Sequence, residues 1–197
     1  MTENGILKFI LVALCFLIVI TNRQYVLGRR DNFFLIIAMA ATLGADFFLV
    51  ILHQYPIGVA IFTIAHIAYA LRFAGKRACL FLPLSLPLPL AFFLLQNDIL
   101  MSLALLYAGL FITSYISMIH AVKRRRYPKI NSLLIFLGMS FFVICDIFVA
   151  IFQLGEMGFL GNYALANFAH DAIWLFYAPS QFCLAISGIK LDSNTKT

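Results

Sequence analysis

Five ionisable side chains stand in stretches of the sequence that are otherwise apolar: Asp46, His66, Asp146 and the adjacent His170 and Asp171. Two carboxyl groups in such surroundings can divide the work of acid-base chemistry, one staying protonated to give a proton while the other stays ionised. Glycoside hydrolysis divides its labour in this way, with a proton donor facing a carboxylate that activates water or stabilises a cation. The same residues arranged as a relay would serve a proton-coupled small-molecule or lipid transporter instead. A third use is structural, each acid bonding a Ser, Thr or Tyr of a neighbouring helix.

The elements that carry these groups are long apolar runs. Hydropathy and loop signals predict spans near 5-21, 33-52, 57-75, 78-95, 99-121, 131-153 and 163-189. The fold class is therefore all-α, a polytopic transmembrane bundle of about seven spans forming one helical domain over residues 1-197. Pro83, Pro87 and Pro89 should kink the fourth span. At 1.5 Å per residue, Asp46 and Asp146 lie about 9 Å from the outer ends of their helices, His66 about 13 Å and Asp171 about 12 Å. One shared depth implies a chamber rather than scattered polar contacts.

Helical spacing gives each element an inward face. Thr42 and Asp46 are one turn apart beside Ala38 and Ala45; Gly58, Phe62, His66, Tyr69 and Phe73 form a stripe on the third helix. Gly138, Phe142 and Asp146 repeat the pattern on the sixth, and on the seventh Asn167, Asp171, Trp174, Ala178 and Gln181 share a face with Tyr177 at its edge. A histidine beside a tyrosine also serves as a packing group, which is the plain alternative for His66. His170 and Asp171 stand nearest a span end, where solvated polar groups are cheap.

Composition narrows the classes further. The chain of 197 residues is 63% hydrophobic and 11% charged, with a mean hydropathy of +0.99, so its solvent is lipid. The net charge of +6 sits in short loops, which argues against nucleic acid as a partner. Basic residues follow the first, third and fifth spans (Arg23, Arg29, Arg30; Arg72, Lys76, Arg77; Lys123 to Arg126 with Lys129), while the alternate connections hold His53, Asp98 and Glu156. That alternation predicts an extracytoplasmic N-terminus and a cytoplasmic C-terminus; binding of anionic lipid is a second use for the Lys123 to Arg126 run. Cys15, Cys79, Cys145 and Cys183 are single and scattered, and no HExxH, CxxC, GxSxG or P-loop pattern occurs, so neither a metal nor a cofactor is expected.

At these same positions the chain resembles the YhhN-type lysoplasmalogenase family. The carrying segments are Leu43-Gly44-Ala45-Asp46, Ala65-His66-Ile67-Ala68-Tyr69, Ile144-Cys145-Asp146 and Tyr177-Ala178-Pro179-Ser180-Gln181, in family order. The family's usual Gly-Asp is here Gly44-Ala45-Asp46, and Lys8-Phe9 stands near the start as though the family's first span were absent. The resemblance implies hydrolysis of the vinyl ether bond of lysoplasmalogens to a fatty aldehyde and a glycerophospho-amine, with a lysophospholipid and the bilayer as partners. It implies Asp46 and Asp146 as the catalytic pair with His66 as orienting neighbour. Tyr69, Asp171, Tyr177 and Gln181 are then expected to line the substrate, Gln181 or Tyr177 bonding its glycerol hydroxyl.

Overall fold

The structure is a computed structural model that describes residues 3–156 and 163–191. Its elements are helices throughout: α1 (Glu3–Thr21), α2 (Arg29–Asp46), α3 (Tyr55–Ala74), α4 (Ala78–Phe81), α5 (Pro87–Gln96), α6 (Ile99–Lys123), α7 (Lys129–Glu156) and α8 (Tyr163–Ile186). A π turn, Phe47–Ile51, prolongs α2. Among the described residues four stretches are long and apolar enough to cross a membrane: Arg29–Ile51, Tyr55–Gln96, Ile99–Lys123 and Lys129–Gly155. Seven were expected from the sequence, and the difference has three physical sources. The apolar part of α1, Gly5–Thr21, is short. The second source is α8, which carries Asn167, His170 and Asp171 in its first half. The third is the proline segment, which runs on from α3 within a single 42-residue stretch.

That segment breaks where proline chemistry demands. Pro83 lies in a 3-10 turn, Leu82–Ser85, and Pro87 opens α5, where a missing N–H costs nothing. Asn97 ends α5 in the left-handed region at φ 54°, and the Asp98 side chain then caps α6 by accepting from the Met101 N–H at 3.0 Å.

The six long helices close into a ring. The most extensive pair is α7 with α8, followed by α3 with α6 and α2 with α3; α1 bridges α2 and α8, α6 touches α7, and α5 lies against α6. Small residues set the close approaches. A Cβ on Gly138 would stand 2.8 Å from Leu184, and one on Gly155 2.6 Å from Ala166, so α7 and α8 pack on their backbones there. The stripe expected on α3 is buried along its length, from Gly58 and Phe62 through His66 and Tyr69 to Phe73.

One end of the ring is tied by a buried polar network. The Arg72 guanidinium, with a side chain 0% exposed, donates twice to Asp31, from Nε to Oδ1 at 3.0 Å and from Nη2 to Oδ2 at 2.9 Å, and once to Ser187 Oγ at 3.0 Å. Tyr127 donates to Asp31 Oδ1 at 2.7 Å, and burial pushes its phenol up in pKa, so it remains a donor. Asn131 donates to the carbonyls of Ser187 and Ile189, and Arg126 to that of Phe73. An antiparallel bridge between Val26 and Ile189 completes the layer. The start of α2, the end of α3, the α6–α7 link and the end of α8 therefore share one plane. Every described Lys and Arg lies at this end apart from Lys8 in α1.

Candidate active site

Four helices deliver two carboxyl groups, each held by a tyrosine. Asp46, the last α-helical residue of α2, is 6% exposed, and its Oδ2 accepts from the Tyr177 hydroxyl of α8 at 2.6 Å. Asp146 of α7 repeats the arrangement, its Oδ2 accepting from the Tyr107 hydroxyl of α6 at 2.6 Å. Hydrogen bonds this short between a hydroxyl and a carboxylate are the strong, charge-assisted kind, and each fixes the plane of its carboxyl. The π turn starts immediately after Asp46 and widens the backbone there, a feature that recurs at functional sites.

The basal network acts as a ruler for depth. Asp46 follows Asp31 by about fifteen residues, and Asp146 follows Asn131 by the same number, so each carboxyl stands roughly 22 Å above that layer. Arg72 joins Asp31 to Ser187 Oγ, and Asn131 binds the Ser187 carbonyl, so both measurements start from one level.

An aromatic cluster fills the space between the pairs. The Phe142 ring, one turn before Asp146, lies 5.9 Å from Tyr177 and 5.3 Å from His66. His66 meets Tyr107 edge-on at 5.0 Å and Phe111 at 4.6 Å. The imidazole bonds Ser114 Oγ through Nδ1 at 3.1 Å, and that hydroxyl spends its single proton on the Phe111 carbonyl at 2.8 Å. Nδ1 is therefore the protonated nitrogen and Nε2 the acceptor. Nε2 is buried and has no hydrogen-bond partner among the described residues. His66 thus touches neither carboxyl by hydrogen bond; its ring meets that of Tyr107, the donor to Asp146.

The remaining expected residues separate into two groups. Gln181 lies one turn beyond Tyr177, fully buried, and both its amide atoms lack a partner among the described residues, as does Thr42 Oγ1 one turn before Asp46. These atoms can bond a polar ligand. Tyr69, by contrast, donates to Met39 Sδ at 3.5 Å and stacks on Phe73, away from both carboxyls. Asp171 pairs with His170 at 3.4 Å, with side chains 88% and 50% exposed.

The face expected on α8 requires correction. Asn167 and Asp171 are exposed, whereas Ala166, Ala169, Tyr177, Ser180, Gln181 and Leu184 are buried. The buried stripe is rotated because the small alanines, not the polar residues, allow α8 to approach α7; Ser180 confirms the register by donating to the Gly138 carbonyl at 2.8 Å. Tyr107 was absent from the sequence reading. Its signal was available, since Tyr107, Phe111 and Ser114 recur at helical spacing on α6 and present a phenol, a ring and a hydroxyl on one face.

Among the described residues no group of three or more His, Cys, Asp or Glu side chains converges as metal ligands. No curated protein and no solved structure matches the chain. The model of the YhhN family matches residues 5–188, nearly the whole length, and the chain belongs to the YhhN family.

Proposed function

We propose that this protein is a membrane-embedded hydrolase that cleaves the vinyl ether bond of lysoplasmalogens, with Asp46 and Asp146 as its catalytic acid-base pair. The observation that carries the reading is the matched pair of tyrosine-held carboxyls brought to one depth by four helices. Membership of the YhhN family is consistent with it.

The chemistry asks for two carboxyl roles. A vinyl ether is protonated at its outer alkene carbon, which leaves an oxocarbenium ion on the carbon bonded to oxygen. Water adds to that carbon and loses a proton, and the hemiacetal collapses to a fatty aldehyde and the glycerol hydroxyl of the head group. One aspartic acid gives the first proton, and the other, ionised, stabilises the cation and takes the proton from water. The tyrosines are positioning residues in this scheme, each holding one oxygen of its carboxyl and so fixing the plane in which that carboxyl works. Gln181, Thr42 and His66 Nε2 supply buried polar contacts for the glycerol hydroxyl and for water. In a cell the basic end of the bundle faces the cytoplasm.

The test is aldehyde release by the purified protein from a lysoplasmenyl lipid, beside the corresponding acyl lysophospholipid. Asp46→Asn and Asp146→Asn keep shape and hydrogen-bonding capacity but not the acid, so each should abolish turnover, and the double variant should be scarcely worse than either single one. Aldehyde release at the parental rate by either single variant, or cleavage of the acyl lipid alone, would overturn the proposal.

A further inference from the structure

An open groove of about 400 Å³ lies at the basic end of the bundle, where α6 ends and α7 begins, lined by Val122, Arg125, Tyr127, Lys129, Ser132, Leu133 and Phe136. Neither of its two cations is neutralised by a described residue. The ion pairs among the described residues are Arg72 with Asp31 and His170 with Asp171, and neither reaches Arg125 or Lys129. Asp31, the carboxylate of the basal layer, is occupied by Arg72 and by Tyr127, which itself forms part of the groove wall. Arg126 is turned away and donates to the Phe73 carbonyl at 2.7 Å. Arg125 stands in the left-handed region at φ 51°, held by its N–H on the Val122 carbonyl at 2.9 Å. An arginine in that conformation is uncommon, because its Cβ crowds the backbone. The rest of the wall is apolar, and Leu133 and Phe136, one turn apart on α7, are 56% and 42% exposed.

We infer that this groove binds an anionic phospholipid, its phosphate between Arg125 and Lys129 and the start of an acyl chain along Leu133 and Phe136. Charge selects the phosphate. Position selects the lipid, because the groove sits where two long apolar helices give way to a basic loop, the level of a head group. A free phosphate would use the cations and leave the apolar wall unused. A zwitterionic lipid would leave one net positive charge unanswered at each cation. The site is remote from Asp46 and Asp146 and does not depend on their chemistry.

The experiment is thermal unfolding of the detergent-solubilised full chain, titrated with phosphatidylglycerol, phosphatidylcholine or inorganic phosphate. Phosphatidylglycerol alone should raise the midpoint. The variant Arg125→Asn with Lys129→Gln removes both groove charges, and asparagine accepts the left-handed backbone more readily than arginine. It should weaken the apparent affinity for phosphatidylglycerol about tenfold or more. Lys123→Gln with Arg124→Gln removes as much charge outside the groove and should change that affinity by no more than about twofold. The phosphatidylglycerol that copurifies with each variant, measured by mass spectrometry, gives the same comparison without reliance on unfolding. Equal stabilisation by phosphatidylcholine, equal stabilisation by inorganic phosphate, or equal weakening in both double variants would overturn the proposal. None of these readouts involves aldehyde release, so failure here and failure of the hydrolase reading are distinguishable.

Discussion

Arg72→Met removes a cation that nothing else in the basal layer replaces. The guanidinium is buried, bonds both oxygens of Asp31 and Ser187 Oγ, and lies 5.5 Å from the Phe73 ring and 5.9 Å from that of Tyr127. Methionine fills much of the volume and makes none of the polar bonds. Asp31, with a side chain only 13% exposed, is left with the Tyr127 hydroxyl as its donor. Breaking one side of a buried pair costs about 3–5 kcal/mol, most of it the penalty of the abandoned charge. For a chain of this size that corresponds to a fall of about 10 °C in the unfolding midpoint. Arg72→Lys keeps the charge but not the two-pronged geometry and should fall between parent and methionine variant. The decisive comparison is Arg72→Met with Asp31→Asn, read by unfolding in one detergent. Neutralising both partners removes the abandoned charge, so the double variant should be no less stable than Arg72→Met alone, a coupling of about 2 kcal/mol or more. A midpoint unchanged in Arg72→Met, or single losses that simply add, would refute the view that this network clamps four helix ends.

Tyr177→Phe and Tyr107→Phe each delete one hydroxyl and keep the ring, so each should slow aldehyde release about ten- to a hundredfold while costing roughly 1–3 kcal/mol of stability. A parental rate in both would remove the tyrosines from the mechanism. Activity should survive exhaustive chelation, because the carboxyls are committed to phenols and no ligand motif is present; loss on chelation with recovery on added zinc would point to metal-assisted hydrolysis. Reporter fusions should place Thr197 in the cytoplasm and the Asp98 turn outside, and a cytoplasmic signal at Asp98 would reverse the orientation.

The helices were legible because their residues repeat one physical message over many positions. The stripe of Gly58, Phe62, His66, Tyr69 and Phe73 foretold the buried side of α3, and the prolines foretold the break between α4 and α5. The count of crossings was less legible. A span is recognised by continuous apolarity, and α8 gives up that continuity to Asn167, His170 and Asp171 near its exposed beginning while staying helical. Hydropathy read together with loop signals makes 163-189 a span, whereas the apolar stretches among the described residues leave α8 out, because its polar residues collect at one helix end.

The acids of the candidate site were visible in the sequence and their partners were not, for a reason that lies in the geometry of tyrosine. An aspartate in an apolar run is conspicuous because its burial is expensive. A tyrosine there is ordinary, since its ring packs like phenylalanine and only its hydroxyl tip requires a partner. That tip lies far from the backbone and leans toward the helix N-terminus, so the carboxyl it meets is displaced from its own Cα. Tyr177 illustrates this: only nine residues separate it from the end of α8 at the basal layer, whereas Asp46 stands about fifteen residues above Asp31 in the same layer. The phenol's upward reach closes much of that gap. Depth computed from Cα positions alone therefore separates two residues that share a proton, and it cannot link Tyr107 to Asp146 at all without knowing that α6 touches α7. Reading such sites from sequence requires pairing each buried acid with tyrosines on a helix running the opposite way, at the acid's own level as for Tyr107 or one to two turns deeper as for Tyr177.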